Sequence, residues 1–480
     1  MNRKRLSTLA ILALCVASLA PAAFAQQQPQ QQPAAAQTPA RKETPPEGGK
    51  PRPFTLPKRE TFKLSNGMRV TLVPYGSIPK VTVRAVVRTG NIDDPAGKVW
   101  LADVAGDLMK EGTATRTAQQ IAEDAARMGG SLNVGVGEEQ TSVGLDVLSE
   151  FGPEAAALVA DVLQRPLLPA SELERIKTNR LRSVTISRSQ PGPTALERFR
   201  KALYGDHPFG HLYPEEAALK GYTAEDVKKF YADNFGAQRT HVFVVGQFDA
   251  AAMRRAVARE FEKWAKGAPA TQNPPKPASA RAIHLINRPG AAQSTIYLGL
   301  PVVDPSHADY VPLVVTDYLL GGAFTSRVTS NIRENKGYTY SPYSQVSTRF
   351  RDAYWVQIAD VTTAVTGPSL KEIFYEIDEL QKNPPTAAEL QGIKNNLAGI
   401  FAIQNSSRGG IINQLAFLDL HGLPDTYLTN YVQNILNVTP ADVQRAAKTY
   451  LRPDRMTIVV VGDREKIDEQ IKPYGQPVNN

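Results

Sequence analysis

Two pairs of residues have types and spacings that could do chemistry. Asp103 and Asp107 stand four apart, so on a helix their carboxylates share one face and could approach a cation together. With no third ligand beside them they would instead repel, by about 0.3 kcal/mol, on an exposed helix face. Arg333 and Tyr340 stand seven apart. A guanidinium can donate to a substrate carbonyl oxygen, and a phenol can donate to the oxyanion that forms when water attacks. The same two types are equally at home on a solvated helix and in a core.

Other chemistries find little support. No His-x-x-Glu-His or His-Glu-x-x-His occurs, and no Gly-x-Ser-x-Gly. His207 and His211 are four apart, but Pro208 and Gly210 between them discourage a helix; His241, His284, His307 and His421 are isolated. The Gly-Gly pairs at 129, 321 and 409 lack the Gly-Lys-Ser/Thr of a phosphate-binding loop. The only cysteine, Cys15, precedes the expected mature chain, so no thiol serves as nucleophile or zinc ligand there.

The elements that must position these residues are written twice. Thr223, Asp226, Val227, Arg239, Val244, Val245 and Gly246 return, all at one constant offset, as Thr439, Asp442, Val443, Arg455, Val460, Val461 and Gly462. Glu172, Leu173, Ile176, Lys177 and Asn179 return as Glu389, Leu390, Ile393, Lys394 and Asn396, at an offset longer by a single position. Two large related halves indicate a duplicated α+β domain, not a solenoid. Thr117–Gln120, Ser171–Glu174 and Thr386–Glu389 have the form of helix capping boxes. Asn66-Gly67, between alternating runs, predicts a type I′ hairpin. Residues 81–87, 283–286 and 295–300 read as strands.

Residues 1–25 have a basic start, an apolar run and Ala23-Phe24-Ala25, the form of a secretory signal cut after Ala25. The expected location is periplasmic. Residues 26–54, rich in Gln, Pro and Ala, cannot bury a core and are expected to be disordered. The first domain is expected over 55–265, a Pro/Ala linker over 266–280, and the second domain over 281–470. Without its three basic signal residues the net charge of +8 falls to +5, a mild excess that does not argue for nucleic acid. No later apolar run reaches membrane length.

The duplication, together with Leu64-Ser65-Asn66-Gly67, Lys110-Glu111-Gly112-Thr113, Gly129-Gly130-Ser131-Leu132-Asn133, His207-Pro208-Phe209-Gly210 and Arg333-Glu334-Asn335-Lys336-Gly337-Tyr338-Thr339-Tyr340, resembles the pitrilysin/insulinase (M16) family of zinc metallopeptidases. The resemblance spans about residues 55–468. It implies two tandem α+β units, each a mixed, largely antiparallel sheet packed against helices. Active family members carry His-x-x-Glu-His just before the Lys-Glu-Gly-Thr-like stretch. Here the aligned window, residues 101–109, has Asp103 and Asp107 for the two histidines and Gly106 for the glutamate. The family's third ligand is a glutamate on a later helix. It falls where residues 175–196 hold no acid at all but Arg175, Lys177, Arg180, Arg182 and Arg188.

The resemblance therefore implies no metal and no cofactor in this chain, with Zn2+ in a partner. Arg333 and Tyr340 match an Arg/Tyr pair that in the family reaches across a closed chamber to the zinc site. Asn133 matches a strand whose edge pairs with extended peptide. The expected role is the zinc-free subunit of a heterodimeric peptidase, inactive alone, whose zinc-bearing M16 homologue hydrolyses peptides. The alternative is a structural subunit of a larger envelope complex, in which Arg333 and Tyr340 are incidental.

Overall fold

A computed structural model describes residues 54–478. The export signal at 1–25 and all of the Gln/Pro/Ala-rich segment except Phe54 lie outside the described residues. Phe54 is already seated edge-on against Phe401, with ring centroids 5.0 Å apart.

The first half builds a six-stranded sheet from β1 (Glu60–Lys63), β2 (Arg69–Pro74), β3 (Lys80–Val87), β4 (Asn133–Val136), β5 (Thr141–Leu148) and β6 (Thr240–Gly246), in the order β1-β2-β6-β3-β5-β4. Its helices are α1 (Leu101–Leu108), α2 (Ala118–Arg127), α3 (Gly152–Gln164), α4 (Ala170–Ser189), α5 (Pro191–Tyr204), α6 (Glu216–Lys220), α7 (Ala224–Asn234) and α8 (Ala250–Phe261). The second half builds a five-stranded sheet from β7 (Ala282–Asn287), β8 (Gln293–Val302), β9 (Tyr343–Arg349), β10 (Asp352–Thr362) and β11 (Thr457–Gly462), in the order β7-β11-β8-β10-β9. Its helices are α9 (Tyr310–Asp317), α10 (Thr366–Lys382), α11 (Ala387–Gln404), α12 (Arg408–His421), α13 (Thr426–Asn437), α14 (Pro440–Tyr450) and α15 (Arg464–Ile471).

Without β1 the two sheets have one topology. β2 runs parallel to β6 and β7 parallel to β11, and the other pairs are antiparallel. Each half is thus a mixed, largely antiparallel sheet packed against helices, as the family resemblance implies. The repeat is kept in the helices too: α11 follows α4, and α12 follows α5, at the same offset that relates Glu172 to Glu389. Residues 266–280 form no helix or strand.

The halves are clasped by exchanging helices. β6 is buried on both faces, as its near-continuous apolar run requires. Val242 and Val244 point into the first half's own core, whereas Phe243 and Val245 meet Ile411, Ile412 and Leu415 of α12. The mirror arrangement holds at β11. Ile458 and Val460 face the second half's core, and Val459 and Val461 meet Phe199 and Leu203 of α5. The two-residue alternation of a strand sends neighbouring side chains to opposite faces, so each central strand serves both cores. Charge secures the clasp, because Arg408 of α12 donates to both Asp146 carboxylate oxygens at 2.8 and 3.0 Å.

Three local expectations are corrected. The hairpin at Asn66-Gly67 forms, but with a five-residue loop, and only Gly67 takes a positive φ, +90°. A type I′ turn needs positive φ at both central residues. Asn66 is drawn away because its amide nitrogen donates to the Phe261 and Trp264 carbonyls, at 2.8 and 3.1 Å. Ser171 caps nothing, because α4 starts one residue earlier, at Ala170. The Thr117–Gln120 box forms as read, and Thr223 and Thr439 make the same reciprocal box with Asp226 and Asp442. Thr386 caps the Glu389 N–H, but the Glu389 side chain turns to Arg327 instead of closing the box.

Candidate functional site

Asp103 and Asp107 lie on α1, whose start is unusual. Trp100, just before it, has φ 69°, a left-handed conformation that costs a bulky residue about 1–3 kcal/mol. Asp94 holds it there, accepting from the Trp100 and Ala102 N–H groups at 2.8 Å each. Burial pushes the Asp94 carboxyl up to about 7.

The space between the two aspartates holds a guanidinium. Arg180, on α4, donates Nε to Asp107 Oδ2 at 2.7 Å and Nη1 to Asp103 Oδ1 at 3.0 Å. Its guanidinium also lies 5.7 Å from the Trp100 ring centroid. Asn91 Nδ2 donates to the other Asp103 oxygen at 2.7 Å, and Lys110 reaches Asp107 at 3.2 Å. Burial raises the Asp103 carboxyl above its ordinary value, and the Arg180 charge opposes the rise. The expectation of an exposed, mutually repelling pair is therefore corrected. The side chains are 14% and 27% exposed, and a fixed cation joins them.

These residues do not fit a zinc ion. A guanidinium already satisfies one oxygen of each carboxylate, and no third acid or histidine joins them. Among the described residues no group of three or more His, Cys, Asp or Glu side chains is placed to hold a metal. The general-base position is closed as well. A Cβ on Gly106 would sit 2.5 Å from Val136 Cγ2 on β4, far inside contact distance, and the β-branched valine has little freedom to yield. Gly106 is what lets α1 lie this close to β4.

Asn133 opens β4, the edge strand, which pairs only with β5. It is exposed, and its amide nitrogen donates to the Ser131 carbonyl at 3.2 Å.

Arg333 and Tyr340 come together in the second half. Arg333 sits in a wide π-type helical segment, Thr329–Asn335, a geometry frequent at functional sites. Its guanidinium lies 5.1 Å from the Tyr340 ring centroid and 4.5 Å from that of Phe324. Nε pairs with Glu334 at 3.0 Å. The two rings are conspicuously open to water, Tyr340 at 79% and Phe324 at 69% exposure. The result is an arginine steadied by two aromatic faces and one carboxylate, beside a phenol that is open to an incoming group. Among the described residues no hydrogen bond or ion pair joins this cluster to Asp103, Asp107 or Arg180.

Comparison with known proteins agrees with this architecture. The insulinase (peptidase family M16) profile matches residues 70–212, and the peptidase M16 inactive domain profile matches residues 221–397. The chain belongs to peptidase family M16. An uncharacterized zinc protease of Bacillus subtilis is 24% identical over 345 residues, 70% of this chain and 82% of that protein. An uncharacterized zinc protease of Streptomyces coelicolor is 24% identical over 413 residues, 84% of this chain and 90% of that one. Among solved structures, a peptidase M16 inactive domain from Pseudomonas fluorescens superimposes with a TM-score of 0.78 at 26% identity, over 84% of this chain and 98% of that one. A protease from Helicobacter pylori shares the fold, with a TM-score of 0.79 at 21% identity, over 85% and 100% of the two chains.

Sequence reasoning misses two members of these sites. Arg180 is visible as one of five basic residues on the helix where the family places an acid, but nothing in the sequence pairs it with both aspartates. Phe324 carries no signal beyond its place beside the Gly321-Gly322 turn.

Proposed function

We propose that this chain is the zinc-free subunit of a two-chain M16 peptidase. It lends Arg333 and Tyr340 to a zinc-bearing homologue, which supplies the metal and the general base. The observation that carries this reading is the contrast between its two sites. The position where the family resemblance places the metal is filled by its own Arg180, while Arg333 lies against two rings, Tyr340 and Phe324, that face solvent. Large rings held in water forgo about 1.5–3 kcal/mol each of burial, an arrangement suited to a surface that another molecule covers. The peptide would add to a sheet edge, with Asn133 on β4 as one candidate contact. Export to the periplasm belongs to the same reading; among the described residues no helix is long and apolar enough to cross a membrane.

The test is to purify the chain alone and together with a zinc-bearing M16 homologue from the same cell. The expected result is no zinc-dependent peptide hydrolysis by the chain alone, and a co-purifying complex more active than the homologue by itself. Robust cleavage by the isolated chain would overturn the proposal. A complex whose activity owes nothing to this chain would favour a purely structural subunit.

A further inference from the structure

The second half contains a cavity of about 430 Å3 between α9, α11, α12, α13 and β9. The duplication makes its position informative. One of its walls is Leu397 on α11, the repeat counterpart of Arg180 on α4. Another is α9, the second half's counterpart of α1. The cavity is thus lined by the counterparts of the two helices that the Asp103–Arg180–Asp107 bridge joins in the first half.

The lining is chemically unlike the first half's. It includes no Asp, Glu, Lys, Arg or His. Four phenols, Tyr310, Tyr318, Tyr427 and Tyr431, line it, and among the described residues none of their hydroxyls bonds to a protein group. Elsewhere the partly buried hydroxyls of Tyr75, Tyr222, Tyr231 and Tyr474 each donate to a backbone carbonyl. Tyr310 is only 9% exposed. Burial raises all four phenols above their ordinary range, so they remain protonated donors at neutral pH. The wall is also built for rings. Phe401 and Tyr431 lie 4.8 Å apart, Tyr427 and Tyr431 5.8 Å, and Phe54 already stands edge-on against the same Phe401.

A cationic ligand would lose its hydration here with no carboxylate in return. An uncharged ring would find aromatic faces, and an acceptor beside it would find phenol donors. We propose that this cavity binds an uncharged aromatic group carrying a hydrogen-bond acceptor, either as a free small molecule or as an aromatic residue of a peptide. This site is independent of the Arg333/Tyr340 role.

The experiment is calorimetric titration of the full chain with three probes: N-acetyl-tyrosinamide, a capped Ala-Tyr-Ala peptide and N-acetyl-lysinamide. The expected result is saturable one-site binding of at least one tyrosyl probe and none of the lysyl probe. Tighter binding of the capped peptide assigns the peptide source, and equal binding assigns the free group. Tyr310→Phe and Tyr431→Phe, which remove only hydroxyls, should each weaken binding about 2- to 10-fold, as the loss of one hydrogen bond does. Val314→Phe, which fills the space from α9, should abolish it, provided its melting curve shows a folded protein. Failure of both tyrosyl probes to bind, equal binding of the lysyl probe, or unchanged affinity in both Tyr→Phe variants would overturn the proposal.

Discussion

Arg180 ties α4 to α1 by pairing with both acids that α1 presents. Its removal would leave two partly buried carboxylates four residues apart with no shared cation. Arg180→Ala is therefore expected to lower unfolding free energy by about 2 kcal/mol, the scale of a lost hydrogen bond to a charged group, as read from denaturant midpoints. Arg180→Lys should recover only part of that, since one ammonium cannot reproduce a two-pronged donor. A second residue-scale effect concerns pH. Asp317, wholly buried, accepts from Trp355 Nε1 at 2.7 Å and Ser344 Oγ at 2.5 Å, and burial raises its carboxyl to about 7. The folded protein thus holds a proton that the unfolded chain releases near its ordinary value of 3.8. Stability from this group is complete below about pH 4 and is lost as pH rises towards 7. Asp317→Asn should flatten the melting temperature between pH 4 and 7 relative to the unsubstituted chain; an unchanged slope would remove this account of Asp317. At this scale the sequence displays the erased zinc motif plainly, because histidine and glutamate are simply gone. Which of five basic residues on α4 turns towards α1 is not legible, since that depends on helix phase and crossing angle.

At the scale of elements, the central finding is the exchange of α5 and α12 between sheets. Phe199 is fully buried and lies 5.5 and 6.2 Å from the Tyr354 and Tyr297 rings of the opposite half. Phe199→Ala should cost about 3–5 kcal/mol, and the loss should register at spectroscopic probes in both halves, because the cavity opens at their seam. Independent melting of the first half alone would show that the clasp is weaker than its packing suggests. The strands and most helix caps are readable from period and capping chemistry. The exchange is not: an amphipathic pattern says that a face is buried, never against which sheet. The repeat register does carry the information that α5 and α12 are counterparts, and hence that whatever one does at the seam the other should mirror.

At the scale of the molecule, duplication has let the two halves diverge around one plan. The first half joins two acids of α1 to an arginine of α4. The second sets Arg333 against the exposed rings of Tyr340 and Phe324. Family membership is legible from scattered motifs on a doubled frame, whereas a single sequence does not name what meets the exposed cluster. The most direct measurement is peptide hydrolysis by the assembled complex with Arg333→Ala or Tyr340→Phe in this chain, alongside its elution volume and zinc content. We expect assembly and zinc to be unchanged, and kcat/KM to fall about 100-fold or more, the scale of losing one transition-state donor. Full activity in both variants, with the complex intact, would contradict the account.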